Sequence, residues 1–360
     1  MNKKICVYAI CKNESQFVKR WYESVKEADY VCVLDTGSVD GTYEMFKELG
    51  VITEQKKYDF FRFDEARNDS MKLIPEDTDI CVCVDIDEFF NPGWSKILKK
   101  HWKDGVGRVR YRYTWSFNPD GSEGVVFMAD KIHKCGAYRW KYPVHEVLYQ
   151  IDDKNYEYMD LPNIQLNHKA DNTKSRANYL PLLELSYKEN PLDDRNAHYL
   201  GREYYFHQEY DKAIEMLNKH LTLPTATWAD ERASSLRYIA KCYYAKKDYA
   251  KQEEYLLKSI LETNKVREGY YDLGVMYYEQ KEYVKSAFMF EEMFKIDERY
   301  LNYISSPDCW GSLPYDYLSM CYYEMGDIRK AKINVLKALD YVQDERLVNN
   351  YRHFCKLDKQ

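Results

Sequence analysis

The sequence predicts a two-part protein: an α/β domain over residues 1–175, whose first 90 residues read as a largely parallel sheet, then an all-α array of helical repeats over residues 176–360. Three observations carry this expectation. Apolar strand-like runs alternate with amphipathic patches through the first 90 residues. Beyond residue 105 the apolar pattern changes to period two. After residue 200 one spaced pattern of tyrosines and small residues recurs four times.

Taken in order, strands are expected at 4–11, 30–35, 51–54 and 80–85, with helices at 15–26, 42–49 and 64–73 between them. In such sheets ligands bind beyond the carboxyl ends of the strands. Those ends read Lys12-Asn13-Glu14, then Asp35-Thr36-Gly37-Ser38-Val39-Asp40-Gly41-Thr42, then Asp85-Ile86-Asp87, so polar chemistry collects on one edge. Further on, Val109, Tyr111, Tyr113, Trp115 and Phe117 alternate with Arg108, Arg110, Arg112, Thr114 and Ser116. That is a half-buried antiparallel strand whose arginines either face solvent or bind phosphate or acceptor. More strands are expected at 124–131, 137–149 and 164–168.

In the second half, Leu200, Ile239, Leu273 and Leu318 are each followed four and five positions later by a Tyr-Tyr pair. Tyr210, Tyr249, Tyr283 and Ile328 follow at ten, and Ala213, Gln252, Ser286 and Ala331 at thirteen. Small side chains at the last position let paired helices approach, while aromatics fill the gaps between neighbours. The pattern, with Leu200-Gly201 and Leu273-Gly274, resembles the tetratricopeptide repeat. Most of the 36 tyrosines are thereby expected to be packing residues. Residues 302–314 read as an inserted loop before the last copy.

Composition removes several function classes. A net charge of −6 offers no basic footprint for nucleic acid. No apolar stretch approaches the 18 or so residues that a membrane span needs. The ten cysteines show no Cys-x-x-Cys and sit mostly in strand-like runs, as small buried hydrophobes of a reducing, cytoplasmic compartment. The pair Cys81/Cys83 has a soft-metal reading, which the apolar surroundings disfavour.

The chemistry concentrates at Asp85-Ile86-Asp87-Glu88, which closes the apolar run Ile80-Cys81-Val82-Cys83-Val84. Three carboxylates within four positions repel one another and resist burial. A hard divalent cation relieves that crowding, and Mg²⁺ in particular binds one or two carboxylates together with substrate phosphates. Asp35 stands where a carboxylate can accept a hydrogen bond from a base or ribose. Arg67, early in its helix, can bind a diphosphate or hold a carboxylate of the site.

Lys12-Asn13-Glu14, Asp35 to Thr42, Ala66-Arg67-Asn68 and Asp85-Ile86-Asp87-Glu88 occur in the order that resembles the family 2 glycosyltransferases. Val144-His145-Glu146 and Asn167-His168-Lys169, followed by the repeats, are similar to the subgroup with C-terminal tetratricopeptide repeats. That subgroup includes bacterial enzymes that glycosylate peptide cysteines. The resemblance runs through about residues 3–340. It implies a GT-A fold, a Rossmann-like nucleotide-diphospho-sugar transferase domain. It also implies a nucleotide-sugar donor, with uridine as the favoured base, and Mg²⁺ or Mn²⁺ as cofactor. By the same resemblance Asp87 ligates the metal, and Ala9, Asn13, Glu14, Asp35, Gly37, Arg67, Asp85 and Ile86 line the nucleotide side. A histidine that joins the metal or diphosphate is either His145 or His168, with His168 preferred because it ends a short strand. Inverting transfer asks for a carboxylate to take the acceptor's proton. Glu146 is the candidate, with His145 beside it and Glu88 as the second choice.

The repeats imply a peptide or protein acceptor, or a second copy of the chain bound through them. An inactive scaffold is the competing class, and the intact acidic pair argues against it. A nucleotidyltransferase is disfavoured by the lack of a Gly-rich triphosphate loop.

Overall fold

The computed structural model describes residues 3–169 and 179–358 and divides into two compact units. The first reaches residue 186 and includes residues 301–303; the second holds residues 187–300 and 304 onward. The boundary expected at 175/176 lies outside the described residues.

The first unit runs β1 (Ile5–Cys11), α1 (Ser15–Val25), β2 (Tyr30–Asp35), α2 (Thr42–Glu48), β3 (Ile52–Gln55), α3 (Phe63–Ser70), β4 (Ile80–Cys83), β5 (Glu88–Phe90) and α4 (Trp94–His101). It continues with β6 (Val106–Thr114), β7 (Val126–Lys134), β8 (Tyr138–Lys141), β9 (Val147–Gln150) and β10 (Glu157–His168), and α5 (Tyr179–Glu189) starts within it. Eight strands form one sheet in the order β3-β2-β1-β4-β7-β6-β10-β5. β3, β2, β1 and β4 are parallel, as helical crossovers require. β7 then pairs antiparallel with both β4 and β6, so the expected parallel part at β1–β4 is joined by antiparallel strands from beyond residue 105 in one mixed sheet.

Alternation along β1 sends Ile5, Val7 and Ala9 to one face, where Val18 and Trp21 of α1 pack. Cys6 and Tyr8 point to the other face, with Cys32, Cys81, Cys83, Tyr138 and Trp140. All ten cysteines are free thiols. The stretch expected as one strand at 137–149 is instead the two-stranded sheet β8/β9, because Pro143 and the residues around it turn the chain back.

The second unit contains four helical hairpins: α6 (Asp194–Phe206) with α7 (Tyr210–Thr222), α8 (Ala229–Ala245) with α9 (Tyr249–Glu262), α10 (Glu268–Glu279) with α11 (Tyr283–Met293), and α12 (Leu313–Glu324) with α13 (Ile328–Leu339). α14 (Glu345–Leu357) closes the series. The residue ten positions after each repeat's leucine or isoleucine opens the second helix of its pair. The small residues at thirteen are buried where the two helices meet. Each hairpin turns on a left-handed residue: Gln208, Lys247, Lys281 and Gly326. Carbonyls of the Tyr-Tyr pair accept the turn's amides, as in Asp327 N–H to Tyr322 at 2.8 Å and Gly326 N–H to Tyr323 at 3.0 Å. The insertion at 302–314 includes a short 3₁₀ turn, Pro307–Trp310. Among the described residues no helix is long and apolar enough to cross a membrane.

Candidate active site

Two loops at the carboxyl edge of the parallel strands are knitted together. After β1, Asn13 takes a left-handed backbone (φ 55°), and its side chain accepts the Val39 amide at 2.9 Å. Its own amide donates to Ser38 Oγ at 2.8 Å, while the Glu14 and Ser15 amides donate to Thr42 Oγ1 (2.8 Å) and Asp40 Oδ2 (3.1 Å). Asp35 ends β2 fully buried. Its Oδ1 accepts the amides of Gly37 (2.9 Å) and Ser38 (2.8 Å) and the side chain of Gln55 (3.0 Å). Burial alone would raise its pKa, but the donors of Ser38, Gln55 and Gly37 outweigh it and hold the carboxyl below its ordinary value. Gly37 needs its φ of 109°, which L side chains rarely adopt, and a Cβ there would come within 3.1 Å of Lys57.

Next to these loops lies the acidic turn after β4. Asp85 and Glu88 close it, with the Glu88 amide donating to the Asp85 carbonyl at 2.9 Å and the Asp85 amide to Glu88 Oε2 at 2.8 Å. Two cations answer the crowded carboxylates. Arg67, 4% exposed, donates from Nη1 to Asp85 Oδ1 at 2.8 Å and from Nε to Glu146 Oε1 at 2.5 Å, and lies over the Trp140 ring. Lys131 reaches Asp85 Oδ2 at 2.7 Å and Glu88 Oε1 at 3.2 Å. Desolvation works against the Asp85 charge, yet Arg67 and Lys131 together pull its pKa well down. Glu88 is the opposite case. Burial raises its pKa despite Lys131, and Tyr113 donates to Oε1 at 2.7 Å. At 1% exposure Glu88 is buried within the turn that it organises.

Asp87 points elsewhere, to His168 at the end of β10, with Oδ2 3.2 Å from Nε2. The ring stacks on Trp115 at 4.5 Å, and its Nδ1 lies 2.9 Å from the Trp115 carbonyl. Burial would lower the His168 pKa, but the hydrogen bond and charge of Asp87 raise it above its ordinary value. The Asp87 carbonyl accepts from Arg20 Nη2 (2.9 Å) and the Lys169 amide (3.0 Å), which fixes the loop. Donor atoms about 2.1 Å from one cation and adjacent in its shell stand about 3 Å apart, so Asp87 and His168 fit joint ligation. With Nδ1–H given to a carbonyl, loss of the proton that Nε2 shares with Asp87 would free its lone pair for a metal.

Of the remaining expected residues, Ala9 and Ile86 are buried in the sheet core. His145 holds φ 51° directly before Glu146, with its ring 5.8 Å from that of Tyr179. The structure thus brings Asp85, Arg67 and Glu146 into one network and Asp87 and His168 into a pair. The arginines expected on the period-two strand pair with carboxylates instead: Arg108 with Asp130 (2.8 Å), Arg110 with Asp160 (2.5 Å), and Arg112 with Glu123. Sequence reasoning missed Lys131, Trp115 and Trp140. A crowd of buried carboxylates does demand a nearby cation, and Lys131, within an expected strand, was the available signal.

The fold and this edge define a nucleotide-sugar transferase-like domain. Residues 6–145 match the family model Glycosyl transferase family 2, so the first unit carries a family 2 glycosyltransferase domain. No curated protein matches the chain. Among solved structures, the crystal structure of MamA is 20% identical, over 45% of this chain and 85% of that one, with a TM-score of 0.37. A thermophilic TPR protein of Thermus thermophilus is 18% identical over 49% and 88%, with a TM-score of 0.35. The repeat register lies in the helices themselves: position ten of each copy opens the second helix of its hairpin.

Proposed function

We propose that the chain is a metal-dependent, inverting hexosyltransferase that uses a nucleotide-diphosphate sugar, with UDP as the carrier, and a peptide or protein acceptor. The observation that carries this reading is the Asp87–His168 pair beside the Asp85–Arg67–Glu146 network, at the ligand edge of a family 2 domain.

Asp87 and His168 would hold Mg²⁺ or Mn²⁺, which supplies charge neutralisation on the departing diphosphate. Arg67 sets the positions of Asp85 and Glu146. The knitted turn around Asn13, Glu14, Asp35 and Gly37 forms the nucleotide side. In direct displacement, the acceptor's oxygen or sulfur bonds to the anomeric carbon as the bond to the diphosphate oxygen breaks, and its electron pair leaves with the diphosphate. Glu146, with His145 beside it, takes the acceptor's proton. The helical hairpins suit an extended peptide, and the ten free cysteines suit a reducing, cytoplasmic setting.

The test is a panel of nucleotide sugars with and without Mn²⁺, read by thermal shift and by release of the nucleoside diphosphate. Metal-dependent stabilisation by a UDP-sugar with slow release of UDP supports the reading. If no nucleotide sugar stabilises the chain with metal present, the reading fails. Under the competing reading of an inactive scaffold, Asp87→Ala changes neither measurement.

A further inference from the structure

A titratable cluster stands in the second unit: His198 on α6, His220 on α7 and Glu231 in the first turn of α8. All three side chains are buried, and their ligating atoms lie within 4.8 Å of one another. Ser235 sits between the imidazoles, its Oγ 2.7 Å from His198 Nδ1 and 2.9 Å from His220 Nδ1. The two rings are 5.3 Å apart and tilted by 55°.

The other repeats show what these positions hold without such a cluster. His198 lies two residues before the repeat's Leu200, and the equivalent residues are Arg237, Tyr271 and Asp316. His220 lies twenty residues after Leu200, where the other copies carry Ser259, Met293 and Ala338, all buried. Helix packing at that position therefore asks for a small or apolar side chain. A buried imidazole adds polar atoms that must be satisfied. The next junction repeats the contact without the imidazoles: a Cβ on Gly269, equivalent to Ser235, would lie 2.8 Å from Ser259 Oγ, equivalent to His220. Among the described residues, the first junction alone has converted this packing contact into a cluster of imidazole and carboxylate donors.

We propose that His198, His220 and Glu231 bind a zinc-class divalent cation that ties α6, α7 and α8 together. Two imidazoles with one carboxylate favour Zn²⁺ over the hard cations that all-oxygen sites select. Neighbouring donors about 2.1 Å from a tetrahedral ion stand about 3.4 Å apart, so small side-chain rotations close the cluster. The Ser235 oxygen, 2.7 and 2.9 Å from the two Nδ1 atoms, steadies both rings, each of which offers one nitrogen to the ion. The role is structural. In a repeat array each hairpin is held chiefly by its neighbours, and the ion reinforces the junction of the first two. This site is separate from the Asp87–His168 pair and does not depend on the transferase reading.

The test uses the full chain carrying Asp87→Ala and His168→Ala, which removes the Asp87–His168 pair as a competing metal position. After chelator treatment it is titrated with zinc chloride, and bound metal and thermal midpoint are read. The expected result is uptake of one zinc per chain with a rise in Tm, and at least a tenfold loss of affinity on adding His220→Gln. No uptake, or uptake that neither His198→Gln nor His220→Gln weakens, overturns the proposal. If the histidine variants fail to fold, cobalt(II) in the otherwise intact cluster decides. The intense visible bands of a tetrahedral ion support the site, and their absence refutes it.

Discussion

His168 Nε2 stands 3.2 Å from Asp87 Oδ2, while the Trp115 carbonyl, 2.9 Å from Nδ1, holds the ring in place. The pair joins the acidic turn after β4 to the last strand of the sheet, residues 81 positions apart in sequence. A cation at this point needs both. His168→Ala should weaken Mn²⁺ binding by roughly tenfold or more, the scale of loss on disturbing even the supports of a metal ligand. Asp87→Asn should weaken it further, because it removes charge as well as a donor. Titration of Mn²⁺ followed by the electron-spin signal of the free ion measures both. Unchanged affinity in either variant would remove that residue from the metal set.

Arg67 serves two carboxylates at once, and it is buried. Removing its charge leaves Asp85 and Glu146 without their shared partner, a change that destabilises by about 3–5 kcal/mol in comparable buried pairs. Arg67→Met should therefore lower stability on that scale in urea unfolding. Arg67→Lys keeps the charge but cannot fork to both carboxylates, so it should recover only part of the loss. Equal behaviour of the two variants would mean that the fork geometry is unimportant.

The hairpin turns allow a test free of the active site. Gln208, Lys247 and Lys281 adopt φ near 60°, the left-handed region that glycine occupies at Gly326. Holding an L-residue there costs about 1 kcal/mol. Lys281→Gly should thus raise stability slightly, by up to about 1 kcal/mol, and Gly326→Ala should lower it by a similar amount. Opposite shifts in the thermal midpoints of the two variants are the expected outcome.

Much of this architecture was legible because local rules and tertiary demands agree. The apolar runs of β1, β2 and β4 bury on both faces and so read as continuous hydrophobic stretches. The repeat spacing survives into the helices because position ten starts a helix and position thirteen lets two helices touch. What was not legible came from long-range pairing. β5 is three residues long, shares Glu88 with the acidic motif and exists only because β10 offers it an edge. The strand expected at 164–168 is twelve residues long because β6 supports its first half. Lys131 looks like any polar residue of a period-two strand until β7 lies beside β4 and carries it to Asp85. The two readings of the β6 arginines, facing solvent or binding phosphate or acceptor, could not anticipate the ion pairs with Asp130, Glu123 and Asp160 on or near the adjoining strands.

A buried hydrogen-bond chain behind the sheet gives the fold a defined acid limit. Trp140 Nε1 donates to the Tyr8 oxygen at 2.8 Å, and the Tyr8 hydroxyl lies 2.9 Å from His133 Nε2. The remaining ring nitrogen, Nδ1, is 3.1 Å from the Lys134 carbonyl. This arrangement suits a neutral imidazole with its proton on Nδ1. Burial lowers the His133 pKa from 6.5 to about 4. Between those values the unfolded chain binds the proton and the folded chain does not, so stability rises with pH across that window. It is fully present above pH 6.5 and is lost as pH falls towards 4. The gap between the folded and unfolded values makes the whole loss on the order of 3 kcal/mol, at about 1.4 kcal/mol for each tenfold change in proton affinity. His133→Gln lacks the titration, and its unfolding free energy should follow pH less steeply than that of the parent between pH 6.5 and 4. Parallel pH profiles for the two chains would show that His133 takes up its proton as readily folded as unfolded, and Tyr8 would then accept from His133 Nε2–H as well as from Trp140 Nε1–H.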